Sequence, residues 1–524
     1  MPSYLTQPLK RANIVNRNGV ATIDGARRRT WTEILDRVAR AGGAIAGLGI
    51  EPGERIALLA LNGDRYFELE FAIPWAGAAM VPINTRLSAP EIAHILRDSG
   101  AVALVIDDSQ RVCFAEFGAL AADLKAVITL SDARVDGWLN YEDLIAGAAP
   151  IPDLVRGGSE MAGIFYTGGS SGRPKGVVLT HDNLSSNALN AVSLIGYGRD
   201  SVYLHAAPMF HLTDGMSTYS LTMAGGTHVF MPRFDPRQCL ELIQAHAVTH
   251  ICLVPTMIEM LVNLAEKEAF DCSSLRQIQF GAAPMPEATL ARAIRLWPDL
   301  LFLHGWGMTE LSPLGMLMPL EWRDPRLAGD RMRSCGMPVW NEEARIVDPE
   351  GGDCPPGTVG ELVIRGPMVM KEYWNLPDET AKALRDGWLH TGDAAYVDED
   401  GFFYIVDRIK DMIITGGENV YSLEVENVIG LMDGVKQVAV IGVPDAFWGE
   451  TVHAVVVPQD GIRLEPDEVV AFCKDRIARY KSPRSVEFRD ALPVTGAGKI
   501  SKKQLREDFV SKAAAASDAR EKIA

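Results

Sequence analysis

At 524 residues the chain is longer than one hydrophobic core ordinarily serves, so two or more domains are expected. Hydrophobic residues at 47% and charged residues at 23% are the proportions of a globular protein. A formal net charge of −17 argues against nucleic acid or an anionic membrane as the main partner. A polyphosphate ligand would have to be met by local cations, which directs attention to Arg173, Lys175, Arg408 and Lys499.

The seven cysteines are scattered and form no C-x-x-C pair, so neither a disulfide framework nor a zinc site is expected. The N-terminus has no apolar stretch of signal-peptide length. The longest nearly apolar run, "FAIPWAGAAMVPI", holds about 13 residues and includes Pro74 and Pro82, too short to cross a bilayer. The terminal "EKIA" is neither a prenylation box nor a peroxisomal tripeptide. A cytoplasmic protein without a transmembrane segment is expected.

In chain order, "TWTEILDRVARAGGAIAGLGI" has helical spacing, with Thr30 or Thr32 as cap and Gly49 near its stop. "ERIALLAL" follows as a buried strand, then helix, strand, helix and strand in "ELEFAIPWAGAAM", "VPIN", "SAPEIAHILRDSG" and "AVALVID". "PRQCLELIQAHAV", "THICLVP", "TMIEMLVNLAE" and "LRQIQFG" repeat the alternation. Such alternation predicts parallel sheets covered on both faces. After about residue 340 the texture turns to short strands, with a hairpin turn at Glu399-Asp400-Gly401. The end of the chain reads as helix (422–431), strand (435–443), strand (451–457), helix (466–479), strand (485–489) and a helix from about 500. The fold class expected is α/β: a large N-terminal domain, 1–409, of stacked α/β subdomains plus a β subdomain, then a small mobile α+β domain, 410–524.

The stretch "YTGGSSGRPKG", 166–176, contains G-x-S-x-G, which raises the question of a hydrolase nucleophile at Ser170. A nucleophile elbow must run from strand straight into helix. Here "MAGIFYT" reads as a strand, but Pro174, Gly176 and Val177-Val178-Leu179 predict a second strand after the loop. The esterase reading is rejected on that ground. A Walker loop fails as well, because Gly172 and Lys175 are not contiguous and "TGAGKIS" has Ile500 where the hydroxyl belongs. What remains is a strand–loop–strand carrying Thr167, Ser170, Ser171 and Lys175, able to wrap phosphate oxygens. A solvated hairpin turn is the plain alternative.

The loop resembles the signature Y-T-S-G-T-T-G-x-P-K-G of the adenylate-forming superfamily, which comprises acyl-CoA and aryl-CoA synthetases, luciferases and adenylation domains. It departs at Gly169, which replaces a serine, and at Ser170-Ser171, which keep the hydroxyls of two threonines. Further family signatures follow in order: "PMFHL", "FGAAPMP", "HGWGMTE", "GWLHTGD", "DRIKDMI", "GGENVYSLEVE", "RYKSP" and "PVTGAGKISKKQL". The chain is identified as a member of that superfamily, similar to AMP-forming fatty and aromatic acyl-CoA ligases.

The resemblance implies a carboxylate attacking the α-phosphorus of ATP to give acyl-adenylate and pyrophosphate, after which CoA displaces AMP. It assigns Thr167, Gly168, Ser170, Ser171, Gly172 and Lys175 to the phosphates, Glu310 to Mg²⁺ and Thr309 to the α-phosphate. Trp306 and Gly307 would border the adenine, with Gly281, Ala282 and Ala283 as the opposite wall. Asp393 and Arg408 would hold the ribose, although Arg408 could instead pair with Asp407 or Asp411. Lys499 matches the mobile lysine of adenylation, against the plain reading of a solvated run with Lys502 and Lys503. Lys410 matches the hinge, Gly416-Gly417 the glycines against pantetheine, and Trp448 a residue stacked on CoA, with a core tryptophan as its rival. His211 stands where adenylation domains place Asp, which disfavours an amino-acid substrate; it would border the carboxylate or gate the acyl tunnel. Leu212, where luciferases have a second His, disfavours that branch.

The expected cofactors are ATP, Mg²⁺ and CoA, and the partner is a small carboxylic acid, with a homodimer left open. Thr213, Asp214 and Ser312 are the polar exceptions in otherwise apolar pocket segments, and without a cation there a diacid is disfavoured. Similarity leans toward a medium- or long-chain fatty acid, with an aromatic or phenylpropenoic acid as runner-up. A degenerate member that only binds nucleotide or acyl groups is the alternative from another class.

Overall fold

The computed structural model describes residues 3–117, 123–167, 174–281, 285–445, 447–494 and 500–521, with Asp330 and 513–521 described by backbone alone. The chain divides into two compact units, one of Met1–Ala344 with Ile364–Leu389, the other of Arg345–Val363 with His390–Ala524. The expected α/β class and its alternation of strands and helices are what the structure shows.

In the larger unit an eight-stranded sheet, counted among the described residues, is parallel through its centre. Strands Arg55–Leu59, Ala79–Pro82 and Ala101–Ile106 lie inside it and are almost wholly apolar and buried, as strands covered on both faces must be. At one side the sheet turns antiparallel. Met161–Thr167 pairs with Lys175–Thr180 in a hairpin whose last register pair is Thr167 with Lys175. The stretch after the loop is therefore a strand, as its Val-Val-Leu sequence predicts, and the nucleophile-elbow geometry is excluded. A two-residue strand, Glu372–Tyr373, completes this edge by pairing with Val178 and Val177.

The second sheet of this unit contains His250–Leu253, Gln277–Phe280 and Leu301–Gly307 as parallel neighbours, continued antiparallel by Leu314–Leu317. Its core is built from Leu204, Ile251, Leu253, Ile278, Phe280 and Phe302 against helices that contribute Leu240, Ile243, Ile258 and Leu261. The helix Trp31–Gly47 shows how local sequence and packing agree. Thr30 and Glu33 form a reciprocal capping box, and Trp31, Ile34, Val38, Ala41 and Ile45 form its buried stripe.

In the smaller unit, Val435–Asp445 and Gly449–Pro458 form a long antiparallel pair, with Ser485–Phe488 added in parallel. Helix Ser422–Gly430 packs there through Val425 and Ile429. The expected helix 466–479 stops at Lys474. Val469 and Cys473 are its buried residues; Ile477 packs against the same core from the turn beyond the helix, and Tyr480 is exposed. The final helix runs Lys502–Glu521. The seven cysteines are free thiols. Among the described residues no helix is long and apolar enough to cross a membrane.

Candidate active site

The loop itself, Gly168, Gly169, Ser170, Ser171, Gly172 and Arg173, lies outside the described residues, as do Ala282, Ala283 and Lys499. The hairpin that carries the loop is firmly held at its base. The Tyr166 hydroxyl donates to Asp98 at 2.6 Å, and the Trp374 indole donates to the Asp98 carbonyl at 2.8 Å. Lys175, at the loop's exit, extends its ammonium 2.5 Å from Glu379 of the helix Pro377–Ala383 and 5.3 Å from the centre of the Tyr373 ring. The Tyr373 hydroxyl in turn donates to Oε1 of Glu310 at 2.8 Å.

The edge strand Glu372–Tyr373 therefore brings the loop lysine and the Glu310 carboxylate to the same aromatic side chain. Glu310 is itself buried, on the single turn Thr309–Leu311, and its carbonyl accepts from the Met370 amide at 2.8 Å. The tight path into that turn requires glycine: a Cβ on Gly307 would lie 1.9 Å from the Pro313 carbonyl oxygen. Trp306 is half-buried, and its six-membered ring would meet a Cβ on Gly315 at 2.9 Å, so the indole lies close against that glycine. Gly281 abuts the Gly305 carbonyl, where a Cβ would come within 2.4 Å. These glycines let the ends of two adjacent strands approach beside a flat ring. A hard carboxylate oxygen bearing a neutral hydrogen-bond donor fits Mg²⁺.

His211 precedes the helix Leu212–Ala224, and its ring centroid is 4.6 Å from that of Phe210. The segment before it is pinned by Asn62, which donates to the carbonyls of His205 and Ala207 and accepts from the Met209 amide at 2.8 Å. Two of the expected polar pocket residues have other employment. Asp214 is fully buried, accepting from the Tyr203 hydroxyl at 3.0 Å and lying 2.6 Å from His205 Nδ1. His205 continues to His228 at 2.9 Å, and His228 to Thr222 at 3.1 Å. Burial holds His228 far below the usual imidazole range, so it is neutral. Ser312 is also fully buried and donates to the Met368 carbonyl at 2.8 Å. Thr213 is exposed.

Behind the same helix lies Glu70, fully buried against Gly215 and raised well above the usual carboxylate range by desolvation. Asp214, Tyr66 and Tyr219 are the titratable groups that face it. Because its pKa is raised, the folded state keeps a proton that the unfolded chain loses above about 4.5. Glu70 therefore costs stability as pH rises, about 1.4 kcal/mol per pH unit until its folded pKa is passed. Glu70→Gln, neutral throughout, should raise the melting temperature more at pH 8 than at pH 5; an equal gain at both would refute the protonated state.

In the smaller unit, Asp393 follows Gly392, whose φ of +71° makes the tight turn of "TGD". Asp393 is buried and pairs with Arg408 Nε at 2.7 Å across the hairpin register that sets the two opposite each other. Arg408 also donates to the Thr391 carbonyl at 3.2 Å. The alternative partners are otherwise engaged. Asp407 caps the Ser422–Gly430 helix by accepting from the Ser422 amide and hydroxyl, and Asp411 pairs with Arg506 at 2.9 Å. Lys410 lies between them, exposed, on the turn Ile409–Asp411.

Lys502 is not solvated. It is held by Glu426 at 2.7 Å and by Ser422 at 2.5 Å, whereas Lys503 lies 3.9 Å from Glu507. Gly416 and Gly417 have φ of +61° and +84°, and a Cβ on Gly416 would approach the Trp448 ring to 2.8 Å. Trp448 is half-buried rather than core, with the Arg484 guanidinium 4.3 Å above its ring. Tyr373, Glu379, Arg484 and the Asp214–His205–His228 chain were not anticipated. The run of hydroxyl and acidic residues within an otherwise apolar helix, 212–224, was the available signal for the last of these.

The model of the AMP-binding enzyme family matches residues 9–374, and that of the AMP-binding enzyme C-terminal domain matches 424–499. A feruloyl-CoA synthase from Amycolatopsis sp is 41% identical over 503 residues, covering 96% of this chain and 98% of that protein. The long-chain-fatty-acid–CoA ligase FadD13 of Mycobacterium tuberculosis (strain ATCC 25618 / H37Rv) is 35% identical over 494 residues, covering 92% and 93%. Among solved structures, ATP-bound MatB from Rhodopseudomonas palustris superposes with a TM-score of 0.87 at 32% identity, covering 97% of this chain and 99% of that one.

Proposed function

The chain belongs to the AMP-binding enzyme family, and from that premise we propose that its acid is a hydroxylated aromatic acid of the phenylpropenoic type. The family membership makes it an ATP-dependent, AMP- and pyrophosphate-forming acid–thiol ligase that uses ATP, Mg²⁺ and CoA. The observation that carries the choice of acid is the 41% identity to a feruloyl-CoA synthase, against 35% to a long-chain-fatty-acid–CoA ligase, and a buried polar link between two elements of the larger unit is compatible with it. Gln279 Nε2 donates to the Tyr197 hydroxyl at 2.8 Å, and that hydroxyl lies 3.4 Å from Ser217 Oγ. Ser217 is on the helix that follows His211, and Gln279 stands two residues before Gly281.

These groups already satisfy one another, so a fatty chain would not strand them, while a phenolic hydroxyl could add a further hydrogen bond. This reading reverses the order expected from sequence, in which a fatty acid came first. The test is pyrophosphate release across ferulic, coumaric, cinnamic, benzoic and fatty acids, with and without CoA. The para-hydroxylated phenylpropenoic acids should show the highest kcat/KM. A fatty acid ahead of them overturns the choice of acid, and silence with every acid favours a non-catalytic nucleotide binder.

In the first half-reaction, one anion attacks another, so charge must be compensated in place. Lys175, Thr167 and the loop hydroxyls would hold the β- and γ-phosphates, and Thr309 the α-phosphate. Glu310, oriented by Tyr373, would hold Mg²⁺, which supplies charge neutralisation on the phosphates. Trp306 would pack on adenine, and Asp393 would accept from both ribose hydroxyls with Arg408 beside it. Lys499 would reach the reacting carboxylate. For the second half-reaction, residues 410–524 would turn about Lys410, bringing Gly416-Gly417 against pantetheine and Trp448 to the CoA adenine.

A further inference from the structure

Glu379 is absent from every role assigned above, yet its carboxylate is shared between two lysines. Oε2 lies 2.5 Å from Lys175 Nζ and Oε1 lies 2.7 Å from Lys382 Nζ. The second lysine fixes the carboxylate so that its other oxygen faces the loop lysine. Lys175 is the described cation at the end of the hairpin, its side chain 18% exposed, while Glu379 is 34% exposed. We propose that Glu379 is a positioning residue that competes with the nucleotide's phosphates for Lys175, and so sets the enzyme's affinity for ATP and its release of pyrophosphate. The inference rests on the reading that Lys175 meets the β- and γ-phosphates.

The chemistry is an exchange of ion pairs with no covalent step. An entering triphosphate carries several charges and displaces the single carboxylate from Lys175. The displaced carboxylate keeps its pairing with Lys382 and so remains nearby. When pyrophosphate has formed, the same carboxylate recaptures Lys175 and assists the product's departure. The two lysines depress the Glu379 carboxyl to about 2, so it stays ionised at any working pH. Its partial exposure leaves the pair accessible to an incoming anion, and to salt.

The test uses the full-length enzyme with saturating acid. KM for ATP, kcat, inhibition by pyrophosphate and affinity for AMP are measured for the parent, Lys175→Ala, Glu379→Gln and Glu379→Asp. Lys175→Ala should raise KM for ATP about ten-fold; no change would refute the phosphate reading itself. Glu379→Gln should lower KM for ATP roughly two- to five-fold and tighten pyrophosphate inhibition similarly, with AMP affinity unchanged. Glu379→Asp keeps the charge but withdraws it by one methylene, and should also lower KM. A raised or unchanged KM in Glu379→Gln, or no change in Glu379→Asp, overturns the competition while leaving the Lys175 result to stand by itself.

Discussion

Lys499→Ala should lower adenylate formation by about two to three orders of magnitude, while thioester formation from supplied acyl-AMP stays within about two-fold of the parent. The reason is electrostatic. Only the first half-reaction brings a carboxylate against a phosphate, and a compact ammonium is suited to the charge that gathers there. Lys499 lies outside the described residues, but its neighbours separate the candidates. Lys502 is committed to Glu426 and Ser422, and Lys503 lies 3.9 Å from Glu507 on its own helix. A Lys502→Ala control should therefore lower the melting temperature and depress both half-reactions together, because it leaves the buried Glu426 carboxylate unpaired. Equal loss of both half-reactions in Lys499→Ala would refute its restriction to the first.

Glu310→Gln is expected to reduce adenylation by about two to three orders of magnitude and to raise the Mg²⁺ concentration needed for half-maximal rate. The amide oxygen can still accept from Tyr373, so the turn Thr309–Leu311 keeps its geometry and only the charge is lost. Tyr373→Phe makes the complementary change: the charge remains and its orientation is loosened, for which a loss of about ten-fold is expected. The ratio of the two variants separates charge from placement. Pyrophosphate release at several Mg²⁺ concentrations measures both, and a Glu310→Gln enzyme within about ten-fold of the parent would remove Glu310 from the metal's neighbourhood.

Much of this architecture was legible because period and punctuation agree. "AVALVID" and "THICLVP" are short apolar runs between helical segments, and both are buried parallel strands. "GVVLT" after the glycine-rich loop was enough to choose hairpin over elbow. The proximity of candidate residues within contiguous motifs was also legible, since "TGD" and "DR" are placed opposite each other by one hairpin register. Residues brought in from a distance were not. Tyr373 and Glu379 meet Lys175 only through an edge pairing, and no local pattern announces the partner of a two-residue strand. Asp214 and Ser312 show a different limit. In sequence they interrupt apolar segments as pocket polar groups would, but burial with Tyr203, His205 and the Met368 carbonyl gives them structural tasks.

The pairing of Glu372–Tyr373 with the hairpin has a consequence for solubility. Without it, Lys175–Thr180 would end the sheet and present unpaired backbone groups along a Val-Val-Leu strand, a template on which another chain could add. The segment that steadies the Glu310 carboxylate also closes that edge. A nick near Asn375, whose φ is +54°, should therefore do more than weaken nucleotide handling: it should make the enzyme self-associate through the hairpin of Met161–Thr167 and Lys175–Thr180.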